Sequence, residues 1–475
     1  RDTPIMSIIS AILSSRSGLT AAAQRAEIVS GNIANAQDEN YARRSLQVTE
    51  GVGGGVSVVG VSRAMDNTMD TLFRTELSYA AKQNAIANAL GVYSSQIGTL
   101  DSETSIPNLM SAFQNDLGLM ANDPGDTSMQ QEVMLSAKAL AASLRSANAA
   151  LSQVQKTALT GIEADIETAN TAMAEIARIN ADIGTVPEGS ATYAGLQDRR
   201  AEELDKLASV MQIEVRYDNV GQATVNSSGG QTLVVAGYVN ELAFDRATGT
   251  LTSGDENVTP GTTGRRGSEQ GSLAGHLQLA LETVPQSQLE LDEIARSLIE
   301  GFEDSDASLA AGEAGLFTNA GSALGATVSP GLAGRIAVNE AIDPAKGGEL
   351  TRLRDGLGAT TPGAASDSTQ VRAFLDFFSA AVSFDPQAGQ GSSGTMSEFV
   401  NGVFTAQQSR RVAAESSLSA LTASSETYRA TRLNARGVNI DTELQNLQMI
   451  EQSYNANSQV LRVASEMIDT LLNMV

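Results

Sequence analysis

The chain has 475 residues, of which 55 are acidic and 31 basic, with one histidine, no cysteine and a formal net charge of −24. A polyanion of that size is repelled by nucleic acid and anionic lipid, because phosphate binding needs clustered Lys and Arg, and its adjacent arginine pairs (Arg43–Arg44, Arg199–Arg200, Arg265–Arg266, Arg410–Arg411) are scattered. The lack of cysteine excludes disulfides and thiolate metal sites, and an aromatic content of 4% suits long helices packed by small residues better than an aromatic-lined pocket.

The first segment carries a strong period. Ile5, Ile8, Ile12, Ser15, Leu19, Ala22, Ala26, Val29 and Ile33 alternate three and four apart, which is the seam of a left-handed coiled coil. No apolar run here or elsewhere reaches the roughly 20 residues that span a bilayer, and the segment does not read as a cleaved signal sequence. GNIANAQDENYARR, Gly31 to Arg44, follows as a polar stretch that suits an active-site loop, a binding loop or a plain helix end. Val52 to Val61 alternates valine with small residues and predicts a strand or β-ribbon opening at a glycine turn. It lacks the GK[ST] ending of a phosphate loop.

A long helical region is predicted from Met65 to Ile183, broken at Pro107 and at NDPGD, Asn122 to Asp126. A further helix, Thr192 to Met211, sets Leu196, Leu204, Leu207 and Val210 on one face. IEVRY, QATVN, QTLVVAGYV and LAFD then read as strands separated by the turns DNVG, SSGG and RATG, making a small antiparallel unit. Leu251 to Gly271 reads as a Gly/Thr/Ser linker, Leu273 to Phe302 as a helix, and residues 303–393 as loops around the short helix QVRAFLDFF. The last helical stretch starts at Met396 and is interrupted at ARGVN, Ala435 to Asn439.

A second seam closes the chain: Leu447, Ile450, Tyr454, Asn457, Leu461, Ala464, Ile468, Leu471 and Val475. Met449, Ala456, Val460, Val463, Met467 and Met474 widen this apolar face beyond what one partner helix covers. Two arrangements answer to that pattern: amphipathic helices lying on a globular core, or a helix pair whose remaining apolar surface is covered by neighbouring subunits. Short, unknotted connections favour pairing of the two ends. The expected fold is multidomain and mainly α with a β-rich part, in which N- and C-terminal helices pair as a coiled coil beside a long helical bundle. Expected domains are 1–50 with 437–475, 51–212 with 396–436, 213–272 as the β unit, and 273–395 as a loop-rich outer region.

Catalytic constellations do not emerge. His276 is the only histidine, inside GSLAGHLQLAL, and metal sites need several convergent donors. GSSG, Gly391 to Gly394, is not a nucleophile elbow, and Asp304 to Asp306 lacks the other ligands of an EF-hand. Paired-carboxylate chemistry usually brings aromatic sugar platforms, which are few here. The expectation is a chain that is not an enzyme and carries no metal or cofactor.

Asn32, Ile33, Ala34 and Asn35, followed by Tyr41 and Arg43, resemble N-[IL]-A-N-x-x-T-x-G-Y-x-R, the signature of the bacterial flagellar rod, hook and hook-associated axial proteins. Asp38 stands for the usual Thr and Asn40 for the usual Gly, where asparagine's tolerance of left-handed geometry would preserve the turn. Gly437, Val438, Asn439, Asp441, Glu443 and Leu444, with Gln452, Tyr454 and Ala456 beyond, resemble the family's C-terminal S-G-V-N-x-D-x-E-L, with Arg436 in place of Ser. The Gly-Val-Asn start and LQDRRAEELDKLASVMQIEV point to the junction between hook and filament; the alternative is another axial component (hook, distal rod or filament-side junction protein).

The resemblance implies a structural protein exported by the flagellar type III system without signal cleavage, extracellular, and assembled as a ring of about eleven copies. Its implied neighbours are the hook protein, hook-associated protein 3 (FlgL) before flagellin, and before export a FlgN-type chaperone at the C-terminal helix. The polymer interface would then be built by Ile8, Ile12, Leu19, Ala26, Ile33, Leu447, Ile450, Tyr454, Leu461, Ala464, Ile468 and Leu471. Tyr41 and Arg43 would touch a neighbouring layer or subunit, and Asn side chains would cap the helix end at Ile33.

Overall fold

The computed structural model describes residues 3–51, 54–98, 102–261, 267–325 and 329–473, with side chains from Ile8 onward. Of the residues named above, the Ile5 side chain, Val52, Arg265, Arg266, Met474 and Val475 lie outside that description. Eleven helices among the described residues are α1 (Thr3–Ala34), α2 (Asn67–Ile97), α3 (Ile106–Asn122), α4 (Thr127–Ile183), α5 (Ala191–Val210), α6 (Ser272–Gln278), α7 (Val284–Asp304), α8 (Arg352–Asp355), α9 (Thr369–Ser379), α10 (Met396–Arg436) and α11 (Ile440–Leu472). The chain divides into two compact units, residues 1–81, 164–274 and 420–475 forming one, and 82–163 and 275–419 the other.

In the first unit α1 and α11 lie antiparallel. Asn32 hydrogen-bonds Glu443, and Gly18, fourteen residues before Asn32, faces Asn457, fourteen after Glu443. On this register Ile12 is level with Val463, beside Ala464, and Ala26 with Met449, beside Ile450, so the two predicted seams run alongside each other. A Cβ at Gly18 would stand 2.9 Å from the Asn457 amide, so the small residue sets how closely the helices approach.

The strands β1 (Arg44–Glu50) and β2 (Val56–Arg63) form an antiparallel hairpin with an irregularity between Gln47 and Val48. The alternating Val/Gly segment predicts only the second of these strands; the first, RSLQVTE, has a single alternation of Leu46 and Val48 among polar residues, too weak to read unaided. The hairpin tip rests on α1, where the Val56 N–H donates to Ser17 Oγ at 3.0 Å.

Two sheets dock on α4. The strands β3 (Ile213–Tyr217), β4 (Ala223–Ser227), β5 (Thr232–Val235) and β6 (Tyr238–Val239) pair in that order, and β7 (Leu242–Asp245), β8 (Thr250–Ser253) and β9 (Glu256–Asn257) form a second antiparallel sheet. Leu251 to Gly271 is therefore not all linker: Leu251 and Ser253 are buried in β8. Short strands rich in Thr, Ser and Gly look like linker in sequence, because their pairing comes from the partner β7 rather than from their own hydrophobicity.

Each sheet is pinned by one asparagine of α4. Asn170 donates to the Leu242 carbonyl and accepts from its N–H, at 2.9 and 2.8 Å. The fully buried Asn180 donates to the carbonyls of Ala223 and Ala236 and accepts from the Ala223 N–H and from Arg200.

The second unit is built around phenylalanine. Phe302 of α7 stands 5.6 Å from Phe113 of α3, 4.9 Å from Phe374 and 5.5 Å from Phe377 of α9, and 5.1 Å from Phe317. Phe317 belongs to β10 (Phe317–Asn319), which pairs with β11 (Ile336–Val338), so the loop-rich segment owes its order to this cluster; β12 (Val382–Ser383) and β13 (Ser393–Gly394) close it with a short ribbon. The expected helix from Leu273 to Phe302 is interrupted by a π-helical turn at Leu279–Thr283, just before Pro285 in α7, since proline has no N–H for the helical ladder. His276 packs against α4, its ring where a Cβ at Gly161 would lie 2.6 Å away. Among the described residues there is no metal-binding group of His, Cys, Asp or Glu, and no helix is long and apolar enough to cross a membrane.

Replacing Asn180 by Ala strips both lone-pair and donor partners from buried backbone groups at the sheet edge. Urea unfolding should show the first unit destabilised by about 2–4 kcal/mol; a loss below about 1 kcal/mol would mean that the sheet does not depend on this anchor.

Candidate functional site: the polar knot and open face of the terminal helix pair

The site starts at the end of α1. Asn32 is fully buried, and all four of its amide hydrogen-bonding positions are filled. Its Nδ2 donates to the Arg44 carbonyl at 2.9 Å and to Glu443 Oε2 at 3.2 Å, while its Oδ1 accepts from Tyr41 Oη at 2.9 Å and from the Arg44 N–H at 3.0 Å. An amide has two donors and one oxygen with two lone pairs, so no other side chain of this size satisfies these partners. Glu443, 2% exposed, is further faced by Arg43 at 3.6 Å. The two sequence signatures therefore meet in one buried cluster, 411 positions apart.

The intervening loop is arranged to reach it. Asn35 Nδ2 donates to the Gly31 carbonyl at 2.8 Å, closing the helix end. Asp38 accepts the Asn40 N–H at 2.9 Å and its carbonyl accepts the Tyr41 N–H at 3.1 Å. Asn40 does not use left-handed geometry: among the described residues the non-glycine positions with positive φ are Ala236 and Ala320. Asp38 supplies the turn through its carboxylate, so position 40 needs no special backbone. Ala34 is exposed, as is Asn35.

Tyr41 is also placed differently from expectation. Its side chain is buried in its own chain, its ring 4.8 Å from the Arg44 guanidinium, and its hydroxyl is spent on Asn32. Burial pushes the phenol pKa up despite that guanidinium, which keeps Tyr41 a hydrogen-bond donor at neutral pH. Arg43, half-exposed, is the one of the pair still open to solvent.

The C-terminal motif closes the other side. Gly437 is required by space, since a Cβ there would lie 2.4 Å from the Leu433 carbonyl oxygen. Val438 is half-buried beside it, and Asn439 caps α11, accepting the Thr442 N–H at 3.1 Å. Asp441 and Glu443 stand in the first turn of α11, where the helix dipole favours carboxylates. Leu444 is exposed. The Arg43 N–H donates to the Arg436 carbonyl at 2.8 Å, tying loop to elbow.

Beneath the knot lies a charge network. Asp198 of α5 takes Arg44 at 2.9 Å and Arg63 at 2.5 Å; Asp205, seven residues on, takes Arg74 at 2.7 Å and Arg432 at 2.6 Å, and Arg432 also binds Asp70. Arg432 stacks on Phe73, 4.7 Å from the ring centroid. Sequence reasoning passed over these ions. The available signal was the spacing of Asp198 and Asp205, which puts two carboxylates on the apolar stripe of α5, where only paired charges are tolerated.

Along the helix pair the burial is one-sided. Ala464 is buried, and Ile8, Ile12, Leu19, Ala26, Ile33, Leu447, Ile450, Leu461 and Ile468 are half-buried. Tyr454 and Leu471 of the seam are exposed, and so are Met449, Val460, Val463 and Met467 beside it, each between 42 and 59%. Ile9 and Leu13 of α1 are equally open. A groove of about 720 Å³ runs between α1, α11 and the hairpin, lined in part by Ala21, Ile28, Leu46, Val56, Met449 and Val460.

The termini are paired through a buried asparagine knot with an apolar strip left open, and comparison with known proteins points to the bacterial flagellum. The family model described as the helical domain of flagellar hook-associated protein FlgK matches residues 96–313, and that of the C-terminal part of the flagellar basal body rod FlgEFG proteins matches residues 429–474. Both family models describe flagellar proteins. It is 22% identical to flagellar hook-associated protein 1 of Bacillus subtilis, over 96% of each chain, and 23% identical to that of Escherichia coli, over 98% of this chain and 100% of the other. The flagellar hook junction protein FlgK from Burkholderia pseudomallei is similar at a TM-score of 0.43 and 22% identity, covering 53% of this chain and 46% of that one.

Asn32→Asp tests the knot. It removes both donors and sets a second carboxylate against Glu443, so the pair's folded-state pKa rises above the unfolded value of about 4. A raised carboxyl pKa costs stability above that range and releases it below. Urea unfolding should therefore show a penalty of about 3 kcal/mol at pH 7 that shrinks as the pH falls toward 4; an equal penalty at both pH values would contradict the geometry.

Proposed function

We propose that this chain is a structural subunit of the junction between hook and filament, joining the hook protein to the next junction protein, hook-associated protein 3, and so to flagellin. The observation that supports it most is the apolar strip of α11, open along a helix whose base is locked by the buried knot. Residues 1–50 and 437–475 form the inner coiled coil of the assembly, and the strip is covered by neighbouring copies in a closed ring of about eleven. Exposed methionine and valine on a chain secreted by the flagellar type III system would also need a chaperone of the FlgN type at the C-terminal helix before export, because contiguous apolar surface promotes aggregation. The role is mechanical, with no reaction and no cofactor.

Val463→Asp and Met467→Glu charge the strip without touching the knot. Each should change the stability of the free chain by less than about 0.5 kcal/mol, yet abolish swimming and release flagellin into the medium. Ser458→Glu, on a polar exposed position of the same helix, should leave swimming intact. Normal filaments in the charged-strip strains would refute the reading.

Hydrogen exchange offers an independent check. Amides of α1 and α11 should exchange faster in the free chain than those of α3 and α7, and become protected in assembled junctions. Equal, strong protection of both ends in dilute monomer would show that the strip needs no neighbour.

A further inference from the structure

Arg436, which ends α10, is 6% exposed. Its Nη2 donates to the Glu39 carbonyl at 2.6 Å, and its Nε is buried without a hydrogen-bond partner. Its neighbour one turn back, Arg432, is 4% exposed; it spends Nε on Asp70 and Nη1 on Asp205, and leaves Nη2 buried and unpartnered. Arg63 is also committed, its Nε to Asp198 and its Nη1 to the Met65 sulfur. These three arginines line one small cavity of about 10 Å³ together with Asp66 and Asp70.

The carboxylates there are already engaged. Asp70 holds Arg432, and Asp66 accepts the N–H groups of Thr68 and Met69 at the start of α2. Asp205, on α5, is shared between Arg74 and Arg432. Arg436 therefore stands as a buried guanidinium with no carboxylate in ion-pair range among the described residues. Burial and the nearby Arg432 push its pKa down, with Asp205 and Asp70 opposing and Arg63 adding to the fall, and the group stays charged. Two unpartnered donors on buried cations are costly to leave unmet, and what meets them has to accept hydrogen bonds.

We propose that this cavity binds a monatomic anion of chloride size between Arg432 Nη2 and Arg436 Nε. A space of about 10 Å³ excludes phosphate, sulfate and a carboxylate side chain. Because the Arg436 carbonyl accepts from the Arg43 N–H, and its guanidinium holds the Glu39 carbonyl, the anion braces the elbow between α10 and α11 against the motif loop. Where the related signature has serine this chain has arginine, so the site belongs to this sequence rather than to the motif.

Thermal unfolding of the full chain in sodium chloride and in sodium gluconate at equal ionic strength tests it, with crystals grown or soaked in sodium bromide. The midpoint should rise by roughly 2–4 °C in chloride, saturating with concentration. Arg436→Ser should abolish the difference between the two salts, and bromide should give an anomalous peak between the two arginines. Equal midpoints for the wild-type chain in both salts, or a water in place of bromide, would overturn the proposal. Should the variant not fold, the salt comparison and the bromide diffraction on the wild-type chain still decide.

Discussion

The structure turns on one fully satisfied amide. Asn32 links the loop after the first helix to the first turn of the last, and it does so with every donor and acceptor it owns. In a buried setting an unmet partner costs more than a met one gains, so the arrangement is close to all-or-none. Aspartate lacks the donors, leucine lacks everything, and glutamine is too long for the same span. In the opening loop Tyr41 and the Arg44 backbone are held by the same oxygen.

With its base locked, the helix pair can remain thinly packed along its length. The interface is made by small residues such as Gly18 and Ala464, which bring the helices close but cover little apolar area. The result is a helix pair oriented at its base, with Met449, Val460, Val463 and Met467 facing outward. On the function proposed above, orientation would set the direction of the next contact and the open strip would supply its driving force.

The same device recurs deeper in the first unit, where Asn170 and Asn180 bind backbone edges of two sheets that are too short to hold themselves. The second unit relies on the opposite strategy. Its few aromatic residues are concentrated, with Phe113, Phe302, Phe317, Phe374, Phe377 and Phe378 in mutual contact, so a chain poor in aromatics still gains a dense core where the secondary structure is weakest. A low average content thus says little about local packing.

Much was legible from residue order alone. The long helices, a break just ahead of Pro107 and another at NDPGD, the paired termini and most of the strands from Ile213 to Asp245 follow from period, turn chemistry and proline, although Pro107 itself stands in the first turn of α3 and QTLVVAGYV folds as two strands. The family likeness was legible as well, because its two signatures are short and specific. What the order of residues could not determine was which partners a polar side chain would find. Tyr41 reads as a surface contact until folding buries it against Asn32; Asn40 reads as a left-handed turn until Asp38 makes that unnecessary; β8 reads as linker until β7 pairs with it. The charge network of Asp198, Asp205, Arg63 and Arg432, and the buried Arg436 beside it, likewise exist only because distant segments converge. Burial and hydrogen bonding are decided by approach in space, and only the tertiary structure brings the two ends of this chain together.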